Sequence, residues 1–269
     1  QPVADSSIYY VDFSFDTLKL GGSAFAQSLG RVGDACPTVC DTEYFVSAFN
    51  AVQKLIGQGL VLAGHDISAG GIITTLLEMC FANTEGGMEI NFDALPEKDL
   101  IKILFAENPG VVMQTADPKA FEKVLREAGV GFLCIGKPAE ERHIMVEKEG
   151  AQYQFIIDHL RDVWYESSYL LDRKQSGEAC ATARFNNYKE QPLQIELPAA
   201  FTGKLAAYGI SADRRQPSGV KAAIIREKGV NGDREMAYSL YLAGFDVKDV
   251  HMTDLISGRE TLDDVNMIV

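Results

Sequence analysis

The short stretch GHDISAGG, residues 64–71, combines a carboxylate and a hydroxyl with glycines, between two apolar segments. Asp66 offers the kind of oxygen ligand that Mg²⁺ prefers in proteins, and Ser68 offers a hydroxyl group to a bound ligand. Gly70 and Gly71 directly precede a helix-like apolar pattern, and the N–H groups at the start of a helix favour anions such as phosphates. The residues alone leave a second interpretation open, in which Asp66 caps this helix and the glycines form a tight turn.

Three other residues near glycine-rich turns could take part in chemistry, but each also has a structural interpretation. In LGGSAFAQ (20–27), Ser23 and the glycines before it could open a helix towards a phosphate, or could form an ordinary N-cap turn. His65 lies beside a strand end, where a hydrogen-bonded structural histidine is more common than a base. Glu107 in FAENPG (105–110) is predicted to be a solvated loop glutamate and is left out of the ligand set.

The cysteines do not predict a metal or redox site. The chain contains five cysteines, an odd number at irregular spacing. Cys36 and Cys40 flank PTV, which is neither a CxxC redox pair nor half of a zinc site with a visible second half. We therefore expect free thiols. Because no cluster of His, Asp or Glu with metal-ligand spacing accompanies Asp66, a self-standing metal-dependent hydrolase is also disfavoured.

Composition and charge exclude several classes of protein. Hydrophobic residues make up 46% and charged residues 23% of the chain, which is ordinary for a globular protein. The formal net charge of −13 argues against nucleic-acid binding, because phosphates would be repelled over most of the surface. No apolar run approaches the roughly 20 residues that span a bilayer, and no signal-peptide layout is visible, so we expect no membrane partner and a cytoplasmic location.

The elements that must position Asp66 follow from the spacing of apolar residues. Helices are predicted at 42–57, 71–82, 117–129 and 158–174, and strands at 61–63, 87–92, 132–136, 143–148 and 153–157. The residues at helical spacing in the first helix are Phe45, Phe49, Val52 and Ile56. Asp117 and Gly129 mark the ends of the third helix, and a turn at Glu149 and Gly150 joins the last two strands. The pattern predicts an α+β domain, a mixed sheet with helices, over residues 1–174.

A second domain is predicted after an irregular segment. Residues 175–219 are polar and interrupted by proline and glycine, which is typical of a linker. Residues 220–269 then read as strand, glycine-rich turn, helix and second strand, with VNMIV (265–269) as the beginning of a third strand. Strands of a parallel sheet are normally buried on both faces, so this unfinished α/β unit predicts that the chain is part of a longer protein.

Four pieces of the sequence resemble a known family when they are taken in order. They are LGGSAFAQ (20–27), GHDISAGG (64–71), LLEMCFA (76–82) and VKAAIIREKGVNGDREMAYSLYLAGFDVKDVHMTDLISGRETLDD (220–264). Together they resemble the C-terminal part of the large single-chain formylglycinamide ribonucleotide amidotransferases, also called phosphoribosylformylglycinamidine synthases. Residues 1–174 then resemble the second subdomain, of the aminoimidazole ribonucleotide synthetase C-terminal type, from the second half of the synthetase region. Residues 220–269 resemble the start of a class I glutaminase domain, an incomplete flavodoxin-like α/β fold.

The resemblance implies an ATP-dependent ligase of purine biosynthesis. Such enzymes convert formylglycinamide ribonucleotide and glutamine to formylglycinamidine ribonucleotide, glutamate, ADP and phosphate, with Mg²⁺. By resemblance, Asp66 points towards magnesium and Ser68 towards a nucleotide, ATP or ADP, in the auxiliary half. With the resemblance added, this interpretation is favoured over capping. The family usually shows HDxSDGG, and Ala69 stands here where the second Asp would be. If that Asp contributes to a cation or caps the helix, the site is weakened here, although Asp66 and Ser68 are kept.

The resemblance also implies that the chain alone has no catalytic residue. Glutamine hydrolysis in this class needs a cysteine nucleophile activated by a histidine, and all five cysteines precede residue 181. Arg226, Gly229 and Asn231 would shape a loop near the glutamine site, again only by resemblance. We therefore expect an inactive fragment, whose partners are the missing domains of the same chain. The alternative is a non-catalytic scaffold module that binds a nucleotide and magnesium.

Overall fold

The computed structural model describes residues 5–187, 195–211, 213 and 215–269. The chain divides into two compact units, Gln1–Gln194 and Ile195–Val269. In the part of the chain that the structure describes, no helix combines the length and the apolar character needed to cross a membrane.

The first unit is built on a seven-stranded mixed sheet, which confirms the predicted α+β class. The order across the sheet is β2-β4-β1-β5-β3-β6-β7. The pair β3 and β6 is parallel, and the other neighbouring pairs are antiparallel. The strands are β1 (Ser7–Asp12), β2 (Ala63–Asp66), β3 (Gly87–Asn91), β4 (Gly110–Thr115), β5 (Phe132–Ala139), β6 (His143–Lys148) and β7 (Ala151–Ile156).

Helices lie on both faces of this sheet. They are α1 (Ala24–Ser28), α2 (Thr42–Gly57), α3 (Gly71–Phe81), α4 (Leu100–Phe105), α5 (Pro118–Glu127), α6 (Ile157–Ser176) and α7 (Glu178–Asn187). Successive residues of β1 point to opposite faces. Ile8 and Tyr10 join a core cluster with residues of α3 and α4. Tyr9 and Val11 join a second cluster with residues of α2 and α5. The strand β1 is therefore covered on both sides. Residues 67–70 join the edge strand β2 to the helix α3.

The buried face of α2 agrees only in part with the face that the sequence indicated: Val52 is buried and Phe45 packs against the same core cluster, as predicted. Phe49 and Ile56 are 48% and 53% exposed, whereas Leu55 is fully buried. Ala48 and Ala51 are also buried. These small side chains let the helix backbone approach the sheet closely, so the face that carries them packs inward and the larger side chains at its flank remain in solvent.

The helix α7 lies within the segment that was predicted as a linker, residues 175–219. Its Phe185 packs against the rings of Tyr165 and Tyr169 of α6, with ring centroids 5.9 and 4.6 Å apart. The guanidinium of Arg161 lies 5.7 Å from the centre of the Phe185 ring. This aromatic cluster holds α7 against α6 and explains why a polar segment is helical here. Residues 188–194, 212 and 214 of the predicted linker lie outside the described residues, and the domain boundaries stay a prediction.

The second unit has the predicted beginning of an α/β fold. Its elements are β8 (Lys221–Arg226), α8 (Asp233–Leu242), β9 (Asp246–His251), α9 (Met252–Ile256) and β10 (Met267–Ile268). The sheet is parallel with the order β10-β8-β9. Before β10, Asp264 accepts hydrogen bonds from Lys221 Nζ at 2.6 Å and from Lys248 Nζ at 2.9 Å. These two lysines hold the pKa of Asp264 at about 2, well below its ordinary value.

Candidate functional site

Asp66 and Ser68 lie in and just after the edge strand β2, on an exposed turn. Asp66 is the last residue of β2, and its side chain is 73% exposed. Ser68 is exposed in the connection between β2 and α3. The turn is anchored by Ile67 N, which donates to Gly110 O at 2.8 Å, and by Gly71 N, which donates to Ser68 O at 3.0 Å. Both candidate side chains are thus accessible to a ligand, Asp66 from the end of β2 and Ser68 from the connection that follows it.

The start of α3 shows that Asp66 is not a helix cap. The N-cap residue is Gly70, and no side chain caps the helix there. Gly70 and Gly71 have φ angles of +92° and +71°, which favour glycine. A Cβ atom on Gly71 would lie 2.5 Å from Leu104 O, so the glycine also permits close approach to α4. The capping interpretation of Asp66 is therefore wrong, and the carboxylate remains open to solvent.

Glu107 holds two of the glycine-rich turns together. Its Oε1 accepts a hydrogen bond from Ala24 N at 2.7 Å and another from Gly70 N at 2.8 Å. One carboxylate oxygen thus joins the first turn of α1 to the N-cap of α3. The prediction that Glu107 is a simple solvated glutamate is wrong. The sequence could not show this role, because its two partners are 83 and 37 residues away along the chain.

The loop that carries Glu107 is itself fixed by its neighbour Asn108. This side chain is 1% exposed, and its Nδ2 donates to Ser14 Oγ and to Thr17 O, both at 3.1 Å. Buried amide groups with satisfied hydrogen bonds are costly to displace. The Glu107 carboxylate is therefore held on an ordered loop between α4 and β4.

The segment LGGSAFAQ adopts the N-cap form. Ser23 is 1% exposed, and its Oγ accepts from Ala26 N at 3.2 Å and donates to Leu20 O at 2.7 Å. The ring of Phe25 stacks on Phe105, with centroids 4.7 Å apart. Of the two interpretations of this segment, the structure shows the N-cap turn. The segment packs next to the 64–71 turn through Glu107, without offering the Ser23 hydroxyl to solvent.

His65 connects Asp66 to two helices. Its Nδ1 lies 2.8 Å from the backbone oxygen of Asp66 and 3.5 Å from Asp66 Oδ1. Its Nε2 lies 3.4 Å from Glu78 Oε2 on α3. The other carboxylate oxygen of Glu78 accepts a hydrogen bond from Trp164 Nε1 on α6 at 2.9 Å. The contacts agree with a histidine that is hydrogen-bonded within the structure.

The donor set suits a cation that is shared with a ligand. Among the described residues, no group of three or more His, Cys, Asp and Glu side chains could hold a metal ion. Mg²⁺ is commonly bound by one or two carboxylates, together with phosphate oxygens and water. Asp66 can supply one such carboxylate oxygen. The residues present therefore fit a magnesium ion that arrives with nucleotide phosphates, and they do not fit a closed protein site.

In the second unit, the residues assigned to a glutamine site by resemblance are partly engaged elsewhere. Arg226 Nε lies 2.6 Å from Asp249 Oδ1, and this hydrogen bond raises the pKa of the guanidinium above its ordinary value. His251, which is not one of the assigned residues, caps α9, because its Nδ1 accepts from Thr253 N at 3.2 Å. Gly229 and Asn231 lie in the connection between β8 and α8. Arg226 is the last residue of β8, and Gly229 and Asn231 follow it, so these three residues lie at the carboxyl end of a parallel strand, which is where ligands bind in open α/β sheets.

Comparison with protein families gives two matches in chain order. The model of the AIR synthase related protein, C-terminal domain, matches residues 8–147. The model of the CobB/CobQ-like glutamine amidotransferase domain matches residues 219–269. The first match covers most of the seven-stranded sheet, with Asp66 and Ser68 but without β7, and the second covers the parallel sheet.

Curated relatives match along almost the whole chain. The chain is 35% identical over 272 residues to phosphoribosylformylglycinamidine synthase from Homo sapiens, a match of 97% of this chain and 20% of that protein. It is 33% identical over 273 residues to the protein of the same name from Schizosaccharomyces pombe, with 98% and 20% covered. The chain thus spans about a fifth of the length of these relatives. Among solved structures, T. maritima PurL complexed with ATP is similar, with a TM-score of 0.46, 15% identity, and 60% of this chain and 26% of that chain covered.

Proposed function

We propose, from the premise that the chain belongs to the family of AIR synthase related proteins through their C-terminal domain, that it serves in an ATP-dependent carbon-nitrogen ligase of purine biosynthesis. The reaction converts formylglycinamide ribonucleotide, glutamine and ATP to formylglycinamidine ribonucleotide, glutamate, ADP and phosphate. Two features support this proposal. The two family matches follow each other in one chain. Both relatives named above have the name of this synthase, and each matches nearly all of this chain.

Within such a ligase, the first unit holds a nucleotide and its magnesium ion. Asp66 provides a carboxylate oxygen to Mg²⁺, and Ser68 provides a hydroxyl to the nucleotide. The observation that carries this assignment is the 73% exposure of the Asp66 side chain at the end of β2, on a turn where it caps no helix. A divalent cation would also offset the negative charge of the chain, −13, which disfavours the approach of free phosphates.

The chain alone makes no product in this proposal. The glutaminase step needs a cysteine nucleophile, and residues 219–269, which match the amidotransferase domain, contain no cysteine. The other domains of the ligase are then the partners that this chain requires. The alternative is a non-catalytic scaffold, which would bind nucleotide and magnesium in the same way. The two proposals differ in whether the bound nucleotide takes part in a ligase.

The binding part of the proposal is tested by calorimetry with MgADP on the 269-residue chain. We expect saturable heat for the wild type, and at least about tenfold weaker binding for Asp66→Ala, because a cation ligand is lost. The matched control is Asp263→Ala, which removes an exposed aspartate from the second unit. Equal affinity in wild type and Asp66→Ala, or no heat in the wild type, would refute the assignment.

The second part is tested by an assay for product. The chain is incubated with formylglycinamide ribonucleotide, glutamine and MgATP, and then with ammonium in place of glutamine. We expect no formylglycinamidine ribonucleotide and no ADP above the background in either reaction. Clear turnover by this chain alone would contradict the requirement for other domains.

A further inference from the structure

We propose that the edge strand β7 pairs with the β7 strand of a second copy of this chain, so that two seven-stranded sheets join across a two-fold axis. β7 is the last strand in the order of the sheet, and among the described residues no strand pairs with its outer side. The strand β2, which ends at Asp66, lies at the opposite edge. The inference is therefore independent of the proposed nucleotide site.

The two edges of the sheet differ in how well they are protected against such pairing. Edge strands are commonly protected by charged side chains, by proline, by bulges or by short length. The strand β2 has only four residues and ends with the charged Asp66. The strand β7, AQYQFI, has six residues without a charge, a proline or a glycine, and five of the six are exposed. The edge at β7 is therefore open to a further strand.

The turn before β7 determines which of its backbone groups point outward. Glu149 and Gly150 form a two-residue hairpin turn with φ angles of +50° and +79°. In such a turn the flanking residues, Lys148 and Ala151, form a hydrogen-bonded pair. Hydrogen-bonded and non-hydrogen-bonded pairs alternate along antiparallel strands, so every second residue of β7 points its N–H and C=O groups away from β6. Before the last residue of the strand, these are Gln152 and Gln154.

A hydrogen bond on the other side of β6 agrees with this assignment. Glu147 O accepts from Phe92 N, just after β3, at 2.9 Å. The N–H and C=O groups of one strand residue point to the same side, so those of Glu147 face β3 rather than β7. The partner of Glu147 in β7 is Gln152, whose backbone groups therefore face outward. Each outward residue offers one donor and one acceptor to a further strand.

One register of a second β7 strand uses all of these groups. A two-fold axis at Tyr153 places Gln152 opposite Gln154 of the second copy, and Gln154 opposite Gln152 of that copy. The glutamines then exchange backbone hydrogen bonds, and their side-chain amides lie opposite each other on one face. An axis at Gln154 would instead place Gln152 opposite Ile156, which is the N-cap of α6 and whose C=O belongs to the first turn of that helix. The axis at Tyr153 is therefore favoured.

The charge of the chain favours β7 as the place where a second copy can approach. With a net charge of −13, two copies repel each other over most of their surfaces. The pairs formed across the axis at Tyr153 place no like charges opposite each other. The Tyr153 side chain is 45% exposed and has room beside its symmetric counterpart. Because a contact between two short strands is small, we expect a weak, reversible dimer.

The first experiment measures the sedimentation of the 269-residue chain. We expect a reversible monomer–dimer equilibrium at loading concentrations of about 1 µM to 1 mM, the range of weak association. Gln154→Pro removes an outward N–H without removing a donor to β6. It should weaken dimerisation about tenfold or more, because each dimer loses two hydrogen bonds. Gln154→Lys places a charge at the edge and should act in the same direction. The matched control Gln53→Lys, at an exposed position of α2, should behave as the wild type.

The second experiment tests the register by oxidation with glutathione disulfide. With the axis at Tyr153, the two Cα atoms of residue 153 form a non-hydrogen-bonded pair about 4.5 Å apart, which is within the range of disulfides. Tyr153→Cys should therefore give a disulfide-linked dimer, identified by mass spectrometry of the linked peptides. The two copies of residue 152 are diagonal neighbours about 7–8 Å apart, so Gln152→Cys should give much less. The wild type, with its own exposed cysteines, sets the background.

Each outcome supports or overturns the pairing. A wild type that stays monomeric at all concentrations overturns it. A dimer that is as stable in Gln154→Pro and Gln154→Lys as in the wild type also overturns it, because the contact then lies elsewhere. Equal cross-linking in Gln152→Cys and Tyr153→Cys overturns the register. If circular dichroism shows that Gln154→Pro is unfolded, Gln154→Lys and the cross-link decide. All of these results leave the proposed nucleotide site at Asp66 untouched.

Discussion

The two hydrogen bonds of Glu107 predict a graded loss of stability when this residue is replaced. Its Oε1 accepts from Ala24 N and from Gly70 N, at 2.7 and 2.8 Å. A hydrogen bond to a charged group contributes roughly 1.5–3 kcal/mol, and a neutral one roughly 0.5–1.5 kcal/mol. Glu107→Gln keeps an oxygen that can accept both N–H groups and loses only the charge. Glu107→Ala loses both hydrogen bonds.

The partial exposure of this site halves these values. We expect Glu107→Ala to lower the free energy of unfolding by about 1.5–3 kcal/mol and Glu107→Gln by about 1–1.5 kcal/mol. The measurement is urea unfolding followed by the emission of Trp164, which lies in the same unit. Glu127→Gln is the surface control and should stay within about 0.5 kcal/mol of the wild type. A Gln variant as unstable as the Ala variant, or two variants as stable as the wild type, would refute the bridging role.

Three further predictions concern the core, the turn and the second unit. Leu55→Ala should lower the free energy of unfolding by about 3 kcal/mol, and Ile56→Ala by under about 1 kcal/mol, because Leu55 is 0% and Ile56 is 53% exposed. Urea unfolding of both variants tests which face of α2 is buried. Gly71→Ala should cost about 2 kcal/mol or more, because its φ is +71° and a Cβ would lie 2.5 Å from Leu104 O; a melting temperature equal to that of the wild type would contradict this. The folded-state pKa of Asp264 is about 2, below the unfolded value of about 3.9. The stability that its lysine partners contribute is therefore present above pH 4 and is lost as the pH falls from 4 to 2. Circular dichroism of the wild type and of Asp264→Asn across this range should show a steeper loss of structure in the wild type.

Local signals in the sequence were sufficient for several elements of the fold. Asp117 accepts from Ala120 N at 3.0 Å and caps α5, as its position before a proline indicated. Glu149 and Gly150 have φ angles of +50° and +79° and join β6 to β7, as the predicted turn requires. In each case the residues that determine the structure are within a few positions of each other. Caps and tight turns depend on such short-range contacts.

Contacts between distant parts of the chain could not be predicted in the same way. A period of 3.6 residues fits two adjacent faces of α2, and the sheet against which it packs decides that Leu55 is buried and Phe49 is exposed. The role of Glu107 depends on partners from two other loops. For the candidate site, the sequence predicted that Asp66 and Ser68 lie in a turn after a strand. The exposure of both side chains could be seen only in the structure.

The charges around the turn determine how a nucleotide can bind at the proposed site. The N–H of Gly70, at the start of α3, already donates to the Glu107 carboxylate at 2.8 Å. A phosphate that approached this amide directly would displace that carboxylate and would meet the negative charge of Asp66 nearby in the chain. The Gly70 amide is therefore not free to bind a phosphate, although helix N-termini often bind such groups. A divalent cation between Asp66 and the phosphates changes the sign of the interaction, because it attracts both groups. Affinity in the proposed site should accordingly depend on Mg²⁺ and on the Asp66 carboxylate.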